Sequence, residues 1–154
     1  MENFEEIIGK CPVVLGMRGS DMAEIAACLV DALLGSGRIA PALRDDAVRV
    51  VLERESLGST AISSGIAIPH GYLEGVEGTA VAIGVEPDGA ECGAPDGAPS
   101  RIFVLMLNSS KAAAGHIKFL VSLNQRLLQA PVREAILAAR TRDEVVAALC
   151  GWHG

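Results

Sequence analysis

Aromatic residues are scarce in this chain of 154 residues, of which Phe, Trp and Tyr together make up 3%. Apolar residues nevertheless account for 50%, so a full core must be built from Ala, Val, Leu and Ile. This composition suits alanine-rich helices that pack closely on a sheet. The length fits one compact domain. We predict that it spans residues 1–154, with its core at about 5–150 and a frayed tail at 151–154.

Long hydrophobic runs are also missing. The richest early run, Ile25–Leu34, is interrupted by Asp31 and falls far short of the roughly 20 apolar residues that a membrane-spanning helix needs. The N-terminus carries Glu2, Glu5 and Glu6 before any apolar stretch, which is the wrong charge for a secretory signal. We therefore expect a cytoplasmic protein without direct membrane insertion.

Positive charge is in deficit, with a formal net charge of −6. Double-stranded nucleic acid demands a cationic face, so we do not expect nucleic acid as a partner. Metal-type spacings are absent as well, because no two cysteines are close and the histidines are scattered. The cysteines are Cys11, Cys28, Cys92 and Cys150, and the histidines are His70, His116 and His153. We predict four free thiols and no metal site.

The chain also lacks the common signatures of nucleotide-binding enzymes and hydrolases. It contains no G-x-x-x-x-G-K-[ST] phosphate loop and no G-x-G-x-x-G fingerprint. A G-x-S-x-G elbow and an H-E-x-x-H metal motif are missing too. No metal or organic cofactor is implied, so none is expected.

Strand-like and helix-like segments alternate along the chain. The predicted strands are Pro12–Leu15, Ile66–Ile68, Thr79–Val85 and Arg101–Leu107. The predicted helices follow Asp21, Pro41, Asn108–Gly115, Pro131 and Thr141. Asp21 and Thr141 each have a glutamate three residues later, which is the pattern of a capping box. The near-continuous apolar run Arg101–Leu107 indicates a central strand covered on both faces. We predict an α/β fold of the α+β type, with a central mixed β-sheet between two layers of helices.

The connections and one helix face are predicted in more detail. We expect Ser56–Gly65 to be an ordered loop and Pro87–Pro99 to contain turns, part of it forming another short strand. The helix at His116–Leu128 should present one broad apolar face. The residues of this face are Ile117, Leu120, Leu123, Leu127 and Leu128.

The main chemical candidate is His70. It lies just after a predicted strand, behind Pro69 and before Gly71. Proline fixes the backbone approach and glycine leaves room beside the ring. A neutral imidazole has one unprotonated nitrogen, which makes it a good phosphoryl acceptor. Two interpretations fit this pattern: a nucleophile, or an ordinary histidine at the surface.

Phosphoryl transfer needs positive charge and N–H or O–H donors around the migrating group. Arg54 is a candidate cation, and His116 lies near a helix start that favours anions. Hydroxyl donors are available in the predicted loop Ser56–Gly65, between the helix of Arg54 and the strand before His70. They are Ser59, Thr60, Ser63 and Ser64. The alternatives are a surface ion pair for Arg54, a solvated helix residue for His116, and turn formation for the hydroxyls.

Two stretches resemble a known family. They are Leu52–Thr60 (L-E-R-E-S-L-G-S-T) and Gly65–Gly71 (G-I-A-I-P-H-G). Together they are similar to the enzyme IIA domain of the fructose/mannitol type, from the bacterial phosphoenolpyruvate-dependent sugar phosphotransferase system. That family includes a single-domain nitrogen-regulatory branch. The resemblance continues through Asp96–Pro99, the strand Ile102–Leu107 and His116, and it ends near Glu144 and Leu149.

The resemblance implies roles for three residues. His70 matches the histidine that is phosphorylated in the family, Arg54 the arginine that contacts the phosphoryl group, and His116 the second histidine of the pocket. The implied activity is protein-to-protein phosphoryl transfer through a phosphohistidine. The implied donor is the small carrier protein HPr or a paralogue.

The resemblance leaves the acceptor open. In transport branches it is a cysteine of a IIB domain, for carbohydrate uptake. In the nitrogen branch the phosphorylation state controls binding to regulatory proteins. For docking of either partner we expect an apolar rim around His70 that involves Ile62, Ile66 or Tyr72, although the same side chains would also suit a core.

Overall fold

The computed structural model describes residues 2–152. Its helices are α1 (Phe4–Lys10), α2 (Met22–Gly35), α3 (Arg44–Ser56), α4 (Ala113–Leu127), α5 (Ala130–Ala138) and α6 (Arg142–Cys150). Its strands are β1 (Val13–Val14), β2 (Ala61–Ile62), β3 (Ile66–Ala67), β4 (His70–Tyr72), β5 (Thr79–Ala90) and β6 (Ser100–Asn108). Short 3₁₀ turns at Pro41–Leu43 and Ser110–Ala112 lead into α3 and α4.

The strands form one mixed sheet in the order β1-β5-β6-β3-β2, and β4 pairs with β6 beyond the end of β3. The pairs β1–β5, β3–β6 and β4–β6 are parallel. The pairs β2–β3 and β5–β6 are antiparallel. The prediction of a mixed sheet is therefore confirmed.

Strand β6 is buried on both faces, as its apolar run predicts. Its side chains alternate between two layers because successive residues of a strand point to opposite faces. Phe103, Leu105 and Leu107 enter the core beneath α2 and α3. Ile102, Val104 and Met106 enter the core beneath α1, α4, α5 and α6. The sheet thus lies between two helical layers, which confirms the three-layer arrangement.

Small residues on β5 let helix α2 approach the sheet closely. Ala80 and Ala82 face this layer. A Cβ added at Gly84 would lie 2.7 Å from Met17 Cε and 2.9 Å from Leu29 Cδ2. Atoms this close must shift, so the contact depends on glycine. This close packing agrees with the aromatic-poor, alanine-rich composition.

Helix starts are set by local capping. Asp21 Oδ1 accepts a hydrogen bond from Glu24 N at 2.9 Å, and Thr141 Oγ1 accepts one from Glu144 N at 3.2 Å. Both predicted caps are confirmed. Helix α1 was not predicted, although it has the same kind of start. Asn3 Oδ1 accepts a hydrogen bond from Glu6 N at 2.8 Å. Its apolar face is buried at Phe4, Ile7 and Ile8.

Several boundaries differ from those predicted. The loop predicted at Ser56–Gly65 contains the two-residue strand β2, and β5 continues past Val85 to Ala90. Ile117 and Leu128 are 62% and 67% exposed, so the apolar face predicted for α4 is too broad. Phe119 is buried in their place. Of the predicted tail, Trp152 packs against the helical layer, and residues 153–154 lie outside the described residues.

Candidate functional site

His70 was expected just after the strand Ile66–Ile68, but it is the first residue of a further strand, β4. Ala67 pairs with Phe103 and His70 pairs with Met106, three residues further along both strands, so the register is the same on either side of Pro69. Proline has no N–H to donate to the ladder. Only Ile68 and Pro69 separate β3 from β4. The backbone nitrogen of Met106 donates to Pro69 O at 2.9 Å. The nucleophile candidate is therefore fixed by the central strand.

One hydrogen bond fixes the tautomer of His70. Its Nδ1 lies 2.9 Å from the carbonyl oxygen of Ile68. A carbonyl oxygen can only accept, so Nδ1 must carry the proton. The lone pair is then left on Nε2. In the neutral form of this half-buried ring, Nε2 is the unprotonated nitrogen, which suits nucleophilic attack.

The second histidine, His116, lies beside it. The two ring centroids are 5.8 Å apart and the ring planes meet at 47°. His116 is 8% exposed, and its Nδ1 is buried without a hydrogen-bond partner among residues 2–152. Burial lowers the pKa of His116 below the usual 6.5, and the neighbouring His70 lowers it further. Both causes disfavour the charged ring, so His116 is neutral at pH 7.

Arg54 lies in the last turn of α3 and completes the group. Its Nη1 donates to Gly58 O at 2.8 Å. Within the described part of the chain, Arg54 forms no ion pair, unlike Arg49 on the same helix. The interpretation of Arg54 as a surface ion pair is thus not supported. A guanidinium carries five N–H groups, so most of its donors are free for an anion.

These residues converge on one cleft of about 220 Å³. Its lining residues are Arg54, Ser59, Thr60, Ile62, Ile68, His70, Met106, His116, Leu120 and Asn124. Two larger cavities, of about 310 and 350 Å³, lie beside α1 and are lined by no histidine or cysteine. The smaller cleft is therefore the candidate site, because it alone of the three is lined by histidines.

The predicted hydroxyl donors behave differently from one another. Thr60 Oγ1 donates to Glu55 Oε2 at 2.5 Å, and Ser59 Oγ donates to Cys92 O. Both residues line the cleft, but their hydroxyl hydrogens are already used. Ser64 is not among the lining residues; its backbone nitrogen donates to Asp96 Oδ2 at 3.1 Å in a turn with φ +71°. Turn formation, the alternative given for the hydroxyls, describes Ser64, whereas Thr60 bonds to the Glu55 side chain and Ser59 to Cys92 O.

The expected apolar rim is only partly present. Ile66 is 1% exposed and belongs to the core, so the expectation that it contacts a partner is wrong. It packs in the core beneath α1, α4, α5 and α6. Tyr72 is 55% exposed and its ring centroid lies 6.1 Å from that of His116. Sequence reasoning missed the exposed Ile117 and Val121 of α4, at 62% and 53%.

Gly71 lets helix α3 sit against the strand that carries His70. A Cβ at this position would lie 2.9 Å from Val50 Cγ2 and 3.2 Å from the carbonyl carbon of Val50. Since Arg54 is one helical turn beyond Val50, the close approach at Gly71 brings the arginine to the cleft. The predicted room beside the His70 ring is therefore used by the helix that carries Arg54.

Neither a metal centre nor a membrane segment is found in the described residues. No group of three or more His, Cys, Asp or Glu residues in 2–152 is placed to hold a metal ion. In the same range, every helix is too short or too polar to cross a bilayer.

The fold and site together define an α/β domain with two histidines and an arginine around one small cleft. Residues 7–150 match the family model described as "Phosphoenolpyruvate-dependent sugar phosphotransferase system, EIIA 2". The chain belongs to this family, whose domains are phosphocarriers that transfer phosphoryl groups through a histidine.

Relatives of both branches are similar to the chain. The PTS system fructose-specific EIIA component of Haloferax volcanii is 30% identical over 117 residues, which are 76% of this chain and 75% of that protein. The crystal structure of nitrogen regulatory protein IIA-Ntr from Neisseria meningitidis is 27% identical, with a TM-score of 0.83, covering 93% and 98% of the two chains.

A third similar structure contains a partner. It is the complex of enzyme IIAMTL and phosphorylated enzyme IIBMTL from Escherichia coli, 25% identical with a TM-score of 0.74, covering 91% of this chain and 94% of that one. Some relatives are much longer, and the chain spans only 22% and 23% of two EIIABC components.

Proposed function

We propose that this chain is a phosphocarrier that accepts a phosphoryl group from HPr or a paralogue on His70 Nε2. The observation that carries this proposal is the 2.9 Å contact of His70 Nδ1 with Ile68 O. It keeps the proton on Nδ1 and the lone pair on Nε2. The same contact persists after transfer, because a ring phosphorylated on Nε2 still carries its Nδ1 proton.

The transfer step conserves atoms and charge without a cofactor. The Nε2 lone pair of His70 attacks the phosphorus of the donor's phosphohistidine, and an N–P bond forms. The N–P bond of the donor breaks, and its electron pair returns to the donor imidazole. One N–P bond replaces another, so no nucleotide or metal is needed at this step.

Arg54 and His116 stabilise the migrating group. The free N–H groups of Arg54 supply a permanent cation beside a group whose charge is spread over three oxygens. His116 is neutral in the free protein because burial lowers its pKa. The negative phosphoryl group raises that pKa, so the ring takes up a proton and becomes a donor when the phosphoryl group arrives.

For the acceptor we propose a cysteine of a IIB domain, with transfer serving carbohydrate uptake. The related complex of IIAMTL with phosphorylated IIBMTL supports this assignment. The surface next to the cleft also suits protein docking, because Tyr72, Ile117 and Val121 are all more than half exposed. Exposed apolar and aromatic side chains near a reactive group are typical of an interaction surface.

A nitrogen-regulatory role is the second candidate function. It is favoured by the similarity to IIA-Ntr, at a TM-score of 0.83. In that case the phosphorylation state of His70 controls binding to a regulatory protein and no phosphoryl group leaves for a cysteine. Neighbouring genes separate the two roles: sugar permease genes favour transport, and a nitrogen sigma-factor gene favours regulation.

Acceptor transfer tests the proposal directly. The chain is phosphorylated with HPr, freed of donor, and mixed with IIB domains of fructose and mannitol type. Transport predicts that the phosphoryl group moves to the IIB cysteine within seconds, and His70→Ala abolishes this. A phosphorylated chain that passes nothing to any IIB domain of its own organism would contradict transport and leave regulation.

A further inference from the structure

The cleft has fewer free hydrogen-bond donors than its composition suggests. A phosphoryl group on His70 Nε2 presents three oxygens, each of which needs donors once water is excluded. The hydroxyl hydrogens of Ser59 and Thr60 are already bonded to Cys92 O and Glu55 Oε2. Arg54 and protonated His116 supply two sources of N–H groups. A third source is the carboxamide of Asn124, which also lines the cleft.

Helix α4 places Asn124 on the same side as His116. Residues four apart on a helix lie one above the other, and His116, Leu120 and Asn124 follow this spacing along the cleft wall. Asn124 Oδ1 is buried with no hydrogen-bond partner among residues 2–152. Asparagine is also a poor helix former. The carboxamide oxygen therefore lacks the bond that normally accompanies a buried polar atom.

We infer that Asn124 is a phosphoryl-binding residue, an inference that rests on the proposed function. Its Nδ2 donates to an oxygen of the phosphoryl group on His70, while its Oδ1 accepts from an N–H group of Arg54 that Gly58 does not use. Both ends of the carboxamide are then satisfied. Since an amide adds no charge, it orients the group without holding it as strongly as a third cation, and the group stays transferable.

Two substitutions of Asn124 test this inference. Asn124→Asp keeps the shape of the side chain but replaces the Nδ2 donor by a carboxylate oxygen. Asn124→Ala removes both the donor and the acceptor of the carboxamide. Single-turnover transfer from phosphorylated HPr is followed at saturating donor, so that weaker docking does not contribute. Loss of a hydrogen bond to a charged group that is present in the transition state slows a reaction by about tenfold to a hundredfold. We expect the transfer rate to fall by this factor in both variants, and further in Asn124→Asp.

The matched control is Gln129→Glu, which makes the same amide-to-carboxylate change outside the cleft and should stay within about twofold of wild type. A second readout is the gain in melting temperature on phosphorylation. If Asn124 had a merely structural role, its substitution would lower the melting temperatures of the phosphorylated and unphosphorylated proteins equally. Loss of the phosphoryl contact instead shrinks the gain and leaves the unphosphorylated form near wild type.

The outcomes separate the two proposals. If the wild-type chain takes no phosphoryl group on His70, the proposed function and this inference fall together. If wild type is phosphorylated normally but both Asn124 variants match Gln129→Glu in rate and in melting gain, only the inference is overturned. Should Asn124→Asp fail to fold, Asn124→Ala, which adds no charge, decides the matter alone.

Discussion

Substitution of Gly71 by alanine should destabilise the protein and slow phosphoryl transfer together. The new Cβ would lie 2.9 Å from Val50 Cγ2, 3.3 Å from Val50 Cβ and 3.2 Å from the Val50 carbonyl carbon. The Cγ2 contact can be relieved by a side-chain rotation. The contact with the backbone carbon cannot, so helix α3 must move by a few tenths of an ångström.

The size of both effects follows from these contacts. Overpacking of a tight interior costs about 1–3 kcal/mol, and a backbone contact of this kind places Gly71→Ala near the middle of that range. The same shift moves Arg54 away from the cleft. Since a displacement of about 1 Å can cost a hundredfold in rate, a third of that displacement predicts about a fivefold loss.

Denaturant unfolding and single-turnover transfer measure the two effects. Val50→Ala removes the Cγ2 contact but keeps the backbone contact, so the double variant should be less unstable than the sum of the single variants by no more than about 0.5 kcal/mol. Gly9→Ala is the control, because a Cβ there meets nothing within 4 Å. If Gly71→Ala is as stable and as active as Gly9→Ala, the close approach of α3 to β4 is refuted.

Four further predictions concern the side chains of Arg54, His116 and Thr141. Arg54→Ala should slow transfer by about a hundredfold or more, because a preorganised donor to the developing charge is lost, and Arg54→Lys should be intermediate. Single-turnover rates measure this loss, and rates equal to that of the wild type would contradict the role of Arg54. NMR titration should find the pKa of His116 below 6.5 in the free protein and higher after phosphorylation, whereas an unchanged pKa would exclude its contact with the phosphoryl group. Because the folded-state pKa is lowered, His116 makes the free protein less stable as the pH falls below about 6.5, and His116→Gln should reduce this acid sensitivity in unfolding curves. Thr141→Ala should cost about 1 kcal/mol in denaturant unfolding through loss of the helix cap, while Thr141→Ser should stay near wild type.

Much of the fold could be predicted because its signals are local. The apolar run of β6 indicates burial on both faces, and the capping pairs after Asp21 and Thr141 mark helix starts. Helix α1 had the same kind of signal, with Asn3 three residues before Glu6 and a buried stripe from Phe4 to Ile8. It was not predicted because Glu5 and Glu6 interrupt its short apolar stripe in the sequence.

The missed strand β4 has no local signal. Its three residues, His70–Tyr72, are extended because they pair with β6 after Pro69 interrupts the ladder. Burial of Ile66 also comes from distant partners, because β3 pairs with β2 on one side and β6 on the other and helices cover both faces of the sheet. Such partners are distant in sequence, so pattern reasoning cannot supply them.

The candidate site was predictable in its main residues but not in its hydrogen bonds. The resemblance over Leu52–Thr60 and Gly65–Gly71 pointed to Arg54 and His70. Which donors are free depends on contacts made by the tertiary fold, such as that of Thr60 with Glu55. Asn124 carries no sequence motif, and its place in the cleft follows only from the packing of α4 on the sheet.

The most direct test of the central claim is phosphorylation of the purified chain. The protein is mixed with phosphoenolpyruvate, enzyme I and HPr, and its intact mass and the modified atom are followed by mass spectrometry and NMR. We expect an acid-labile gain of one phosphoryl group on Nε2 of His70, absent in His70→Ala. No gain with an active, cognate HPr, or a gain that survives His70→Ala, would contradict it.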